Sequence, residues 1–397
     1  MDDIVIIGAG ECGVRAAFTL RKLGFEGRIV LFGAETMVPY ERPPLSKAKA
    51  PEHKPIAARE AFEEAQIDLR LGVTVRAIDT RAKTVTLEEG ASHSYGKLLI
   101  ATGARARLFP GMDDCLTLRT HEDAETIMRH VEPAATIGIV GGGFIGLELA
   151  ATAVKAGADV TVIEAGPRIL GRAVPEEIAR LVHERHAAEG VTLLTGTGVE
   201  TVRATGVTLS DGREFCFDKV IAGVGALPNT ALAEDAGLDV ENGIVVDGSF
   251  QASAKDVYAA GDCCRFPWRG TPVRLESWKA AQDQGTHVAE AMMGTLAPYE
   301  KVPWFWSDQY DLTLQVAGLF DPRFQTRSRG AGAAGDTHIV FQCDTAGKLV
   351  AAAGIGPGNT VAKDIKLFEK LIEKNAPLDP DALADPSHNL KTFLKAA

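Results

Sequence analysis

The sequence predicts an α/β chain built around two Rossmann-like dinucleotide-binding units, followed by a segment of alternating strands that closes on a helix. Three observations carry this. Near the start, the β-branched run Ile4-Val5-Ile6-Ile7 ends in Gly8-Ala9-Gly10-Glu11-Cys12-Gly13, a G-x-G-x-x-G turn. The design recurs 133 residues later, where Ile137-Gly138-Ile139-Val140 runs into Gly141-Gly142-Gly143-Phe144-Ile145-Gly146. Beyond Pro303, short apolar stretches (Gln315–Phe320, His338–Cys343, Leu349–Gly354) read as strands, with a helix from Val361 to Lys374 after them.

In the first unit a helix-like stretch from Val14 to Leu23 follows the glycine turn. A second apolar strand, Arg28 to Phe32, leads to Glu35, an acid at the distance where a ribose hydroxyl is held. Bare backbone at Gly8 and Gly10 lets a pyrophosphate approach the helix N-terminus, whose unpaired N–H groups and dipole favour a dianion. The next stretch, Val38-Pro39-Tyr40-Glu41-Arg42-Pro43-Pro44-Leu45-Ser46-Lys47, carries three prolines, which forbid a regular helix or central strand until Leu45. Its Arg42 and Lys47 read as ligands of a flavin or a phosphate rather than as ordinary loop charges. Strand-like alternation returns over Leu69–Ile78 and Lys83–Leu87, and the buried strand from Lys97 stops at Ala101-Thr102-Gly103.

The second unit repeats the order. A helix is expected over Leu147–Ala156, then the strand Asp159–Glu164, whose terminal acid has no basic residue immediately after it. That acid suits a ribose diol and repels a 2′-phosphate. The unit ends at Val220–Gly225, followed by Leu227-Pro228-Asn229. Asp256–Asp262 gives a short strand closing on Gly261-Asp262, and Leu275 to Met293 reads as a helix.

Length and composition bound the function. A chain of 397 residues exceeds one ordinary core, so two or three domains are expected. The formal charge of −11 disfavours nucleic acid or an anionic membrane as the main partner. No spanning apolar run and no signal-peptide core are seen, which predicts a cytoplasmic protein. The cysteines at 12, 115, 216, 263, 264 and 343 lack C-x-x-C and metal-finger spacing, so reduced thiols and no metal are expected. The adjacent pair Cys263-Cys264 reads as two small residues near a cofactor rather than a vicinal disulfide.

Taken together, the two glycine turns, Arg42-Pro43-Pro44-Leu45-Ser46-Lys47, Ala101-Thr102-Gly103, Gly141 to Glu148, Gly261-Asp262, Glu276-Ser277-Trp278 and Pro303-Trp304-Phe305-Trp306-Ser307-Asp308-Gln309 resemble the FAD-dependent NADH:ferredoxin reductases of bacterial oxygenase systems. The likeness runs in order over the whole chain. It is nearest to the reductase components of aromatic-ring dioxygenases, with putidaredoxin reductase and the apoptosis-inducing factor more distant.

The resemblance implies a glutathione-reductase-like fold in three parts. An FAD domain would comprise 1–111 and 233–302, an NAD domain 112–232, and a C-terminal α+β domain 303–397. It implies that FAD meets Gly8, Gly10 and Gly13 through its pyrophosphate and Glu35 through its ribose, with Arg42, Lys47, Thr102, Arg119, Gly261 and Asp262 also in contact. Trp278 and Trp306 would lie beside the isoalloxazine. NAD would use Gly141, Gly143, Ile145 and Gly146, with Glu164 on the ribose, Arg172 near the adenosine, Gly225 close by and Glu148 near the nicotinamide. Lys47 and Glu148 are expected to form the catalytic ion pair.

Related disulfide reductases carry C-x-x-x-x-C after the first acid, whereas this chain has no cysteine between Cys12 and Cys115. Hydride in from NADH and single electrons out to a [2Fe–2S] ferredoxin is therefore the expected reaction. The alternatives are an NADH oxidase or quinone reductase, and a non-catalytic redox-sensing protein. Between Arg265 and Lys279, the cations Arg265, Arg269, Arg274 and Lys279 face one acid, Glu276, so a basic rim for docking an acidic ferredoxin is expected.

Glu164 gives the first test. Leaving like charges opposed costs ~1–3 kcal/mol, so kcat/KM should favour NADH over NADPH, and Glu164→Ala should narrow the ratio. An unchanged ratio would remove Glu164 as the selector.

Overall fold

The structure is a computed structural model that describes residues 3–330 and 337–396. The chain folds into two compact units. The first takes the residues up to Arg42, then His53–Arg105 and Ala226–Lys301; the second takes Pro43–Glu52, Ala106–Gly225 and the chain from Val302 on.

The first unit is organised on a parallel sheet in the order Val257–Ala259, Lys97–Ile100, Ile4–Ile7, Ile29–Gly33, Ile67–Leu71. Ile4–Ile7 lies at its centre, with Ile4 opposite Ile29 on one side and Lys97 on the other, and all four of its side chains are buried. Strands covered on both faces can carry no polar row, which is why this run is aliphatic throughout. The helix Glu11–Lys22 packs against the helix Trp278–Met292 at close range. Gly285 makes that approach possible, since a Cβ there would stand 2.5 Å from the Cys12 carbonyl oxygen.

The expected single stretch Leu69–Ile78 is in fact two strands. Ile67–Leu71 ends the parallel sheet, Gly72 turns at φ +69°, and Val75–Asp79 opens a separate antiparallel sheet with Thr84–Leu87 and Ser92–Ser94. Alternation of side chains does not reveal a change of sheet. The residues after Asp262, which the sequence reading assigned to no element, form the antiparallel pair Cys264–Trp268 and Thr271–Val273.

The second unit contains a parallel sheet in the order Thr192–Thr195, Asp159–Glu164, Thr136–Val140, Lys219–Ala222. It also holds an antiparallel sheet in the order Trp304–Gln309, Leu312–Gly318, Leu349–Pro357, His338–Cys343, Thr326–Arg329. Both faces of this second sheet are covered. Ala317, Phe341 and Ala352 pack against Ile365, Phe368 and Ile372 of the helix Ala362–Lys374, while Leu314, Val340 and Ile355 share a core with Ile178 and Val182 of the helix Glu176–Ala188. That last helix has no counterpart in the sequence reading. In the same unit, Pro43–Ser46 forms a single turn of 3₁₀ helix, short of the regular helix that the three prolines were expected to forbid until Leu45. Proline fits a first helical turn because its fixed φ is helical and its missing N–H would find no partner there.

One buried cation ties down the C-terminal residues. The Arg329 guanidinium donates to the carbonyls of Leu383 (2.6 Å), Asp385 (3.0 Å) and His388 (2.6 Å). Arg329→Met leaves those acceptors without a donor, so an unfolding titration should show a loss of about 3 kcal/mol. A native stability would mean that water replaces the guanidinium without cost.

Candidate functional site

The two glycine turns have the same geometry. Gly8 and Gly141 both sit at φ +111°, and a Cβ would stand 2.1 Å from the Ala101 oxygen at the first and 2.3 Å from the Gly223 oxygen at the second. Gly13 and Gly146 bring the helix against its own turn, with an added Cβ 2.0 Å from Gly8 O and 2.4 Å from Gly141 O. Gly10 and Gly143 differ, for among the described residues no heavy atom beyond the glycine and its chain neighbours lies within 4 Å of where their Cβ would stand. Each is the extended residue before its helix and gives that helix no side-chain cap. Two helix N-termini therefore present bare backbone donors to open space, the arrangement a dinucleotide pyrophosphate requires.

In the first unit Glu35 accepts from Tyr40 Oη (2.6 Å) and from Arg42 Nη2 (2.7 Å), and the Arg42 guanidinium lies over the Tyr40 ring. Thr102 Oγ1 donates to the Asn229 carbonyl (2.7 Å). Gly261, at φ +84°, donates its N–H to Gln284 Oε1 (2.7 Å), with the Cys12 side chain packed beside it. The Asp262 carbonyl accepts from Arg274 Nη1 (3.4 Å). Trp278 is the first residue of its helix, behind the Ser277 cap, and its indole N–H donates to Glu11 Oε2 (3.1 Å). Cys12, Cys263 and Cys264 are free and buried; burial, the largest cause for each, pushes all three thiols up, opposed at Cys263 by hydrogen bonds with Thr102 and Gly103. They are held as thiols, the unreactive form.

In the second unit Glu164 accepts from the N–H of Gly142 (2.8 Å) and of Gly166 (2.7 Å), which aims it at the turn. Ile145, one residue before Gly146, is 50% exposed, a large aliphatic surface beside the open cradle. Arg172 is exposed, Gly225 turns at φ +109°, and Arg119 lies just before the helix His121–His130, its N–H donating to Asp123 Oδ2 (2.8 Å).

Lys47 and Glu148, 101 residues apart in sequence, form an ion pair at 3.0 Å. Lys47 Nζ also reaches Asp308 Oδ2 at 2.8 Å and lies 6.0 Å from the Trp306 ring centre, and the Trp306 indole N–H donates to the same Asp308 oxygen (3.1 Å). Trp304 stacks on Trp306 with ring centres 5.5 Å apart. Glu148 is buried and also accepts from the hydroxyls of Ser46 and Ser307. Thr152 Oγ1 donates to the Ser46 carbonyl (2.7 Å), which fixes the 3₁₀ turn on the helix Phe144–Lys155. Burial alone would raise Asp308, but bonds from Lys47, Thr313 and Trp306 outweigh it and hold its carboxyl below the ordinary value. Ser46, Ser307 and Asp308 stood in the quoted motifs without a role; the position of Ser46 beside Lys47, and alternation along Trp304–Gln309 for the other two, were the only signals.

The rim between Arg265 and Lys279 is less basic than its local sequence. Arg265 pairs with Glu241, Arg274 with Glu276, and Lys279 with Asp283, while Arg269 is exposed and lies over the Trp268 ring at 4.9 Å. Two of those acids fall outside the window counted, so four cations to one anion is corrected to a largely neutralised surface.

An α/β scaffold carrying two open glycine cradles defines a two-dinucleotide oxidoreductase. The chain belongs to the pyridine nucleotide-disulphide oxidoreductase family, whose pattern matches residues 2–285, and residues 304–394 match the reductase C-terminal family. It is 39% identical over 99% of both chains to the anthranilate 1,2-dioxygenase system ferredoxin--NAD(+) reductase component of Burkholderia cepacia. It is 35% identical to putidaredoxin reductase of Pseudomonas putida, covering 100% of this chain and 97% of that one. The crystal structure of the covalent putidaredoxin reductase–putidaredoxin complex superimposes with a TM-score of 0.93 at 34% identity, over 100% of this chain and 99% of that one.

The cradles make opposite demands at neighbouring glycines. Gly146→Ala should cost about 3 kcal/mol or more in an unfolding titration, because backbone must move. Gly143→Ala should stay within about 1 kcal/mol of native yet weaken NAD binding about tenfold, read by titration. Native affinity in Gly143→Ala would show that the open space does not receive the pyrophosphate.

Proposed function

We propose that the protein is an FAD-dependent NADH:ferredoxin reductase that serves a bacterial oxygenase. The observation that carries this is the pair of open cradles, at Gly10 and Gly143, in a chain that matches oxygenase-system reductases from end to end. Bound FAD would supply the chemistry that links a two-electron hydride donor, NADH, to a one-electron acceptor, an iron–sulfur protein.

In this reading Gly8, Gly10, Gly13, Glu35, Arg42, Thr102, Arg119, Gly261, Asp262 and the indoles of Trp278 and Trp306 serve FAD. Gly141, Gly143, Ile145, Gly146, Glu164, Arg172 and Gly225 serve NAD. Both oxygens of Glu35 accept from side chains, Tyr40 and Arg42, where those of Glu164 accept from backbone N–H groups, so Glu35 orients as much as it binds. Lys47 supplies positive charge that favours electron-rich states, and Glu148 and Asp308 hold it in place. A division into three domains, 1–111 with 233–302, 112–232, and 303–397, is favoured because each part has its own sheet. No described helix is long and apolar enough to cross a membrane, which suits a cytoplasmic enzyme.

The partner in this reading is a [2Fe–2S] ferredoxin. Its docking face in this reading is the rim of Arg265, Arg269, Arg274 and Lys279, on which Arg265, Arg274 and Lys279 are paired to acids. The test compares NADH turnover in oxygen alone with turnover after adding a [2Fe–2S] ferredoxin, at rising salt. Added ferredoxin should raise turnover, and salt should raise its KM while leaving the KM for NADH nearly constant. Equal turnover with and without ferredoxin would favour an oxidase instead.

A further inference from the structure

The Lys47–Glu148 pair is one end of a longer line of polar groups. Glu148 Oε1 accepts from Ser307 Oγ (2.6 Å), Ser307 Oγ accepts from Gln309 Nε2 (2.9 Å), and Gln309 Oε1 lies 2.9 Å from His186 Nε2. Tyr310 Oη then lies 3.2 Å from His186 Nδ1. Ser307, Gln309 and His186 are all fully buried.

The direction of each bond follows from the chemistry of the ends. A carboxylate only accepts, so the Ser307 hydroxyl donates to Glu148 and its oxygen takes an N–H of Gln309. The amide therefore turns its carbonyl to His186, which must carry its proton on Nε2. The Nδ1 lone pair is left for the Tyr310 hydroxyl. Burial, opposed in part by the Gln309 bond, pulls the imidazole down to about 4, so it stays neutral. Every dipole in the line thus points its positive end toward Glu148.

The outer end is built with some strain. Tyr310 adopts a left-handed backbone at φ +61°, a conformation unfavourable for a residue with a side chain. Its ring packs edge-on against the imidazole at 4.9 Å, beneath the Arg185 guanidinium at 4.9 Å and Lys155 Nζ at 5.6 Å.

We infer that His186, acting through Gln309 and Ser307, is a positioning residue that keeps the Glu148 carboxylate turned toward Lys47. The inference rests on the reading of Lys47 and Glu148 as residues that govern hydride transfer. Gln309 has no acidic proton to pass on, so the line aligns dipoles and is not a proton path.

The test combines spectroscopy with kinetics on the FAD-loaded enzyme. In protein labelled with ¹⁵N-histidine, the His186 signal, assigned by its loss in His186→Asn, should show the Nε2–H tautomer, and an Nδ1–H tautomer would overturn the inference. In stopped flow, Gln309→Met should slow flavin reduction by NADH about three- to tenfold, with native FAD content and an unchanged apparent Kd for NADH. The same substitution in a Glu148→Gln background should add less than about twofold, since the two act on one interaction. Full additivity would mean a merely structural role and overturn the inference. A native rate in Gln309→Met beside a slow Glu148→Gln would overturn this inference alone. A native rate in Glu148→Gln would instead overturn the reading on which it rests. Should Gln309→Met fail to hold FAD, Ser307→Ala in the same cycle decides by the same criteria.

Discussion

Backbone packed against backbone at the two glycine turns is the constraint from which the rest of the architecture follows. At Gly13 and Gly146 the helix meets the carbonyl of its own turn so closely that a single methyl group would stand 2.0 or 2.4 Å from that oxygen. The close approach sets where each helix begins and leaves its first N–H groups facing the gap at Gly10 or Gly143. Because the second helix starts at a set place and angle, so does Glu148, two residues beyond Gly146. A residue larger than glycine at the tight positions would move donors and carboxylate together.

The second theme is how that carboxylate is made affordable in a buried place. A bare ionised acid out of water is costly, and Glu148 is therefore met by an ammonium and by the hydroxyls of Ser46 and Ser307. The hydroxyls must in turn have their oxygens satisfied or placed, and this propagates outward through Gln309 to His186. The polar line lies within an otherwise apolar core that includes Ile178, Val182, Leu314 and Ile355. Close packing leaves few alternative rotamers, so such a line holds a single arrangement of donors and acceptors.

The antiparallel sheet of the second unit serves this arrangement. Its hairpin, Trp304–Gln309 with Leu312–Gly318, carries Trp306, Ser307, Asp308 and Gln309 in succession. Adjacent strand residues point to opposite faces, so Ser307 and Gln309 share the face toward Glu148 and His186. Lys47 is gripped by both Glu148 and Asp308, and it comes from a proline-stiffened turn whose carbonyl at Ser46 is bonded to Thr152. Rigid supports on three segments thus hold one cation.

What the sequence determined by itself is whatever local chemistry dictates. The aliphatic runs at Ile4 and Ile137, the glycine spacings and the acids Glu35 and Glu164 lie within one strand–turn–helix unit each, where neighbours in sequence are neighbours in space. Periodicity likewise marked the helices near Phe144 and Ala362, to within a few residues at their ends. The tertiary structure decided what joins distant segments. It split Leu69–Ile78 between two sheets and supplied Glu241 and Asp283 to cations that had looked unopposed. It also brought His186 and Gln309, 123 residues apart, within 2.9 Å. No pattern in either segment announces that contact, because a buried histidine and a buried glutamine are specified by the volume and polarity around them, and those exist only once the chain has folded.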